Sequence, residues 1–183
     1  MAIRPIITAP DPRLKAVSRP VETVDDDLRS LMRDMLDTMY AAPGIGLAAI
    51  QVGEPLRVIV IDVSDDDKER EPLFLVNPEI LSASEEMSTY EEGCLSVPEQ
   101  FAEVERPARV HVRFLDFDGK EQELHAEGLL ATCIQHEMDH LEGILFVDHL
   151  SALKRKMILR RLLKARKAGQ KAEKNPERRR HIA

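Results

Sequence analysis

With 183 residues, 43% of them hydrophobic and 32% charged, the chain has the length and balance of one soluble globular domain with an appendage, long enough to bury a core. Aromatic residues make up only 4%, with no Trp, which argues against a base-stacking platform for single-stranded nucleic acid. The formal charge of −7 is unevenly divided: residues 151–183 carry 13 Lys or Arg against two acids, net +11, which leaves −18 on the preceding 150 residues.

The opening stretch, "MAIRPIITAPDPRL", has too short an apolar run, broken by Pro5, for a signal peptide. No stretch approaches the ~18 apolar residues of a membrane span. The expected location is the cytoplasm, where the two cysteines, Cys94 and Cys133, stay reduced and free for packing or metal binding.

"PDPRL" at 10–14 reads as a proline-fixed turn. From Asp25, Leu28, Leu31, Met32, Met35 and Met39 recur at helical spacing, with Asp25, Asp26 and Asp27 at the positive end and Pro43–Gly44 as the stop. The methionine stripe is expected in the core rather than on a binding groove. "RVIVID" and "FLVNP" read as strands around the acidic surface loop "SDDDKEREP". "ARVHVRFLDFDGKEQELHA" alternates around Asp118–Gly119, the pattern of a β-hairpin. His111 in its first strand is read as a surface or packing histidine.

From Gly128 the run "LLATCIQHEMDHL" is apolar nearly all round, as in a buried helix. A last helix is expected from about Ser151, an N-cap, with Leu153, Met157, Ile158 and Leu162 on one side and Gly169 as its end. Residues 1–168 would then form the domain and 169–183 a basic, disordered tail.

The buried run contains His136, Glu137 and His140. Histidines four apart on a helix share a face, so both imidazoles can reach one cation, with the glutamate as general base. Without a metal, two histidines and a glutamate turned into an apolar core would be costly. The third ligand is not where zinc proteases carry it: three residues after Gly143 stands Phe146, and the downstream glutamates are Glu142, too near, and Glu173 and Glu177 in the basic tail. Cys94, next to Gly93 and before a turn, is the best candidate. Cys133 competes, but one helix cannot easily wrap three ligands around a tetrahedral ion, so it is read as a small wall residue. Three ligands with a vertex left for water describe a catalytic site.

Three segments, "GIGLAAIQVG" at 44–53, "EGCLS" at 92–96 and "QHEMDH" at 135–140, resemble in sequence, order and separation the motifs of the peptide deformylases. The resemblance spans roughly residues 5–165. It implies hydrolysis of the N-formyl group from the formylmethionine of newly made polypeptides, with a metal-activated water as nucleophile and Glu137 as general acid/base. It further implies that Cys94, His136 and His140 hold the metal. That metal would be Fe2+ natively, with Zn2+, Ni2+ or Co2+ able to take the same site. Gln51 and the backbone N–H of Leu95 would donate to the oxyanion. Gly46 would lie against the formyl group. Ile45, Leu129 and Cys133 would line the methionine pocket, and Tyr90 and Glu92 would border it. Phe101 stands where such proteins often have arginine, and Thr132 where they often have an aliphatic residue. Arg106 is read as a partner for a carboxylate such as Glu92.

The basic segment after Ser151 has two readings, a docked helix with a solvated outer face or a contact with ribosomal RNA, and the resemblance supports the second. The expected architecture is α+β: antiparallel strands around a central helix carrying H-E-x-x-H, with an N-terminal and a C-terminal helix, in a monomer.

Overall fold

The computed structural model describes residues 2–65 and 67–174, with side chains as far as Lys171. Helix α1 spans Asp26–Ala41. Asp25 caps it by accepting the Leu28 N–H at 2.8 Å, and Asp26 and Asp27 lie in its first turn, where the helix dipole favours negative charge. Its buried face is the methionine stripe, with Met32, Met35 and Met39 fully enclosed.

Five antiparallel strands form the main sheet, in the order β1 (Gly46–Ala48), β2 (Val58–Ile61), β3 (Leu73–Ala83), β6 (Arg109–Leu115) and β7 (Glu121–Glu127). β4 (Met87–Cys94) and β5 (Val97–Pro107) pair as a separate antiparallel ribbon. β6 and β7 are joined through the expected Asp118–Gly119 turn, with Val110 opposite Ala126.

All four residues of β2 are buried because both faces of the sheet are covered. Ile59 and Ile61 join the cluster beneath helix α2 (Gly128–Leu141), with Val112, Phe114 and Ile134. Val58 and Val60 join the cluster beneath α1, with Met32, Met35 and Leu47. α2 follows β7 without a loop. Gly128 makes that corner at φ +60°, a conformation that side chains other than glycine's resist.

A third cluster ties the ribbon to the chain ends: Val97 and Val104 pack with Ile7, Leu14, Phe146 and, from helix α3 (Ala152–Lys174), Ile158 and Leu162. Helix α3 differs in two respects from its expected form. Leu153 and Met157 are 69% and 44% exposed, because the helix touches the body along the Ile158–Leu162 ridge and those two residues are turned away from it. Gly169 does not end the helix, which runs to Lys174. An exposed glycine costs a helix only about 1 kcal/mol against alanine, and good helix formers flank this one. The expected tail therefore begins inside α3, and residues 175–183 lie outside the described residues. Among the described residues the architecture is α+β, with antiparallel sheets and three α-helices. Among the described residues, no helix is long and apolar enough to cross a membrane.

Candidate metal centre and catalytic cavity

His136 and His140 stand one turn apart on α2, their ring centroids 5.2 Å apart and nearly perpendicular. Cys94 reaches them from the last position of β4, where the register with β5 shifts. One ligand atom from each of the three lies within 4.8 Å of the others, and Cys94 Sγ is 3.4 Å from His140 Nε2. Cys133 is buried on the same helix, with its thiol 3.7 Å from the Ile45 carbonyl rather than beside the imidazoles.

The ring of His136 is held from behind. Its Nδ1 meets Glu92 Oε1 at 2.8 Å, and Arg106 grips both oxygens of Glu92 at 2.7 and 3.0 Å while also binding Asp139 at 2.8 Å. Arg106 thus has the carboxylate partner expected for it. Burial pushes the Glu92 carboxyl up, but hydrogen bonds from His136 and Arg106 outweigh it and hold the group below its ordinary range. With Nδ1 committed, His136 has Nε2 left for a cation, the arrangement in which a carboxylate fixes the tautomer of a metal ligand. For His140, burial is the foremost cause pushing its pKa well down, in the direction of the neutral ring that metal ligation requires.

Glu137 follows His136 on α2 and is buried, one carboxylate oxygen 4.0 Å from His136 Nε2. Burial pushes its carboxyl up to about 7, and Oε2 is buried without a hydrogen-bond partner. A divalent cation beside it would draw that value back down. Its other oxygen rests against Gly46, where any Cβ would collide with the carboxylate, so only glycine fits. Gln51, also buried, accepts the Ala48 N–H through Oε1 at 2.8 Å, and its Nε2 lies 3.7 Å from Cys94 Sγ.

These groups open on one cavity of about 520 Å³. Its walls bring together Ile45, Gly46, Gln51, Tyr90, Glu92, Cys94, Leu95, Leu129, Cys133, His136 and Glu137. His140 is enclosed beyond the wall, against Cys94. Glu92 borders the cavity, yet its oxygens serve Arg106 and His136. Phe101 lies at the rim, 65% exposed, its ring covering Gly93 so closely that a Cβ there would push the ring aside. The sequence reading passed over Ser96, Asp139 and His149. Asp139 joins Arg106 to His149, which it meets at 2.7 Å. Its place three residues after His136 was the available signal for a supporting role.

The donor set suits a transition metal: one sulfur and two imidazoles, soft to borderline ligands, gathered beside a buried carboxylate. That site defines a metal-dependent hydrolase. The sequence profile of the polypeptide deformylase family matches residues 3–156. The peptide deformylase of Rhizorhabdus wittichii is 62% identical over 173 residues, covering 92% of this chain and 98% of that one. That of Rhizobium meliloti is 59% identical over 167 residues, covering 91% and 96%. The crystal structure of a peptide deformylase from Legionella pneumophila is 50% identical and superposes with a TM-score of 0.86 over 92% of this chain and 98% of that one. The Ehrlichia chaffeensis peptide deformylase in complex with actinonin is 42% identical, with a TM-score of 0.86 over 90% and 98%. The chain belongs to the polypeptide deformylase family, whose enzymes remove the N-formyl group from nascent peptides.

Proposed function

We propose that Cys94, His136 and His140 hold the divalent cation with which this enzyme hydrolyses the formyl amide of N-formylmethionyl peptides, and that Glu137 carries the proton. The observation behind the reading is the gathering of three ligand atoms within 4.8 Å beside a buried carboxylate, at a cavity open to a peptide end. Ferrous iron is the proposed native occupant, and zinc, nickel or cobalt suit the same donors. When bound, such a cation supplies Lewis acidity, lowering the pKa of water towards about 7 and polarising a carbonyl oxygen.

The chain's own residues do the rest. Glu137 takes the proton of the water that adds to the formyl carbon, then hands it to the leaving amine nitrogen. The amide of Gln51 and the backbone N–H of Leu95 donate to the oxygen as it becomes negative. Gly46 lets the backbone approach the formyl group. Ile45, Leu129 and Cys133 wall the methionine side chain, and Tyr90 borders it. Glu92 acts through His136, whose ring it orients. Residues 1–168 form the catalytic domain on this reading, and the enzyme works as a cytoplasmic monomer. The basic face of α3, with Lys154, Arg155, Arg160, Arg161, Lys164, Arg166 and Lys167, is proposed to meet ribosomal RNA.

The test is an anaerobic assay on formyl-Met-Ala-Ser with metal analysis of the same sample. Glu137→Ala should retain the cation and lose kcat by a factor on the order of 100 to 10,000. Cys94→Ala should lose the cation itself. A Glu137→Ala enzyme with near-normal kcat, or a Cys94→Ala enzyme with undiminished metal, would overturn the assignment.

A further inference from the structure

Ser96, the last residue of "EGCLS", has no part in the chemistry above, yet it is fully buried and its hydroxyl faces Gln51. Gln51 Nε2 donates to Ser96 Oγ at 3.0 Å, while Gln51 Oε1 accepts the Ala48 N–H at 2.8 Å. A backbone N–H can only donate, so Ala48 fixes which end of the amide is oxygen and turns the NH2 group the other way. That group has two hydrogens in one plane. One goes to Ser96; the other points at Cys94 Sγ, 3.7 Å from the nitrogen, a long, weak bond to sulfur that an incoming oxygen beside it can replace.

The Ala48 contact alone would not hold that plane. The last torsion of a glutamine side chain is soft, and a carbonyl oxygen accepts hydrogen bonds over a broad range of directions. A second tether on the nitrogen side removes the remaining freedom. The distance between the two residues is also set independently of their side chains. The Ile7 N–H donates to the Gln51 carbonyl at 2.7 Å, and the Ala9 N–H donates to the Ser96 carbonyl at 2.8 Å. One extended segment thus holds both backbones in place.

We propose that Ser96 is a positioning residue for deformylation: by taking one hydrogen of the Gln51 amide, it aims the other at the formyl oxygen as charge develops there. This rests on the reading of Gln51 as an oxyanion donor. Ser96 itself touches no reacting atom. Its contribution is orientation, and a small error in orientation is costly in a step that depends on aligned donors.

The experiment is a double-mutant cycle on the metal-loaded enzyme with formyl-Met-Ala-Ser, reading kcat, KM and bound metal for each variant. Gln51→Ala should lower kcat on the order of 100-fold. Ser96→Ala should lower it about tenfold, with KM and metal content held. In the Gln51→Ala background, Ser96→Ala should add no further loss, because the group it positions is gone. Multiplying losses, or no loss in Ser96→Ala alone, would refute the role of Ser96 and leave the oxyanion reading standing. An unchanged kcat in Gln51→Ala would refute the oxyanion reading and this inference with it. Should Ser96→Ala fail to fold, Ser96→Cys, whose sulfur is a weaker acceptor, replaces it in the same cycle with the same expected non-additivity.

Discussion

Gly46 shows how one absent side chain can set a reaction geometry. A Cβ there would collide with the carboxylate and the Cγ of Glu137, which would have to shift along the wall of the cavity it lines. Gly46→Ala should therefore displace the proton carrier while leaving Cys94, His136 and His140 untouched. The expected result is a kcat reduced on the order of 100-fold with metal content unchanged, since an error of about 1 Å in a reacting group has that scale of effect. Equal kcat in the two proteins would show that Glu137 does not need its present position. Residues of this kind were legible in the sequence because the chemistry dictates their type. A thiol, two imidazoles four apart and a glutamate between them announce a metal site without any structure. Glu92 was legible only in part. It was placed at the border of the substrate pocket, whereas its oxygens are turned to Arg106 and His136. Nothing in its local sequence distinguishes the two.

Elements were readable where burial imposes a period. α1 and the β6–β7 hairpin lie as their spacing predicts, because each presents one face to a core and the other to water. β1 went unseen because a strand of three residues, Gly46–Ala48, is too short to display any period. The β4–β5 ribbon went unseen for a different reason. Its outer positions include Glu91, Glu103 and Glu105, so the stretch reads as charged loop, although Val97 and Val104 face inward. The apolar stripe of α3 was overestimated because amphipathic spacing reveals which residues could be buried, not how long the supporting surface is.

The junction between α1 and the N-terminal segment carries a prediction about pH. Asp34 accepts the Ala2 N–H at 2.8 Å and Arg4 Nε at 3.1 Å, and those contacts, the first foremost, hold its carboxyl below the ordinary range against the opposing effect of burial. A carboxylate whose folded pKa is depressed stabilises the protein above its unfolded value, about 3.9, and that contribution disappears as pH falls through the folded value. The native protein should therefore lose more stability than Asp34→Asn on acidification below about pH 4. Parallel urea curves at pH 6 and pH 3 would show the gap between the two narrowing. A constant gap would mean that these contacts do not favour the ionised form.

For the whole molecule, charge is the property that the fold organises most clearly. An acidic body carries a helix whose outward side is basic: Lys154, Arg160, Arg161, Lys164 and Lys167 are all exposed. If that side meets RNA, ribosome binding should weaken steeply with salt, by roughly one counterion per phosphate contacted. Reversing Arg160, Arg161 and Lys164 to glutamate should abolish co-sedimentation with ribosomes while hydrolysis of a free formyl tripeptide continues at the native rate. Undiminished co-sedimentation would remove α3 from the contact.

The amide-to-carbonyl contacts of Ile7 with Gln51 and Ala9 with Ser96, together with that of Ser18 with Leu141 at 2.8 Å, make the opening stretch a brace across three distant parts of the chain. Its grips are translated long after it is. The contacts with Gln51 and Ser96 can form first, but the brace is complete only once α2 has delivered Leu141 to Ser18. Trimming the first nine residues should consequently injure turnover more than their distance in sequence from His136 would suggest.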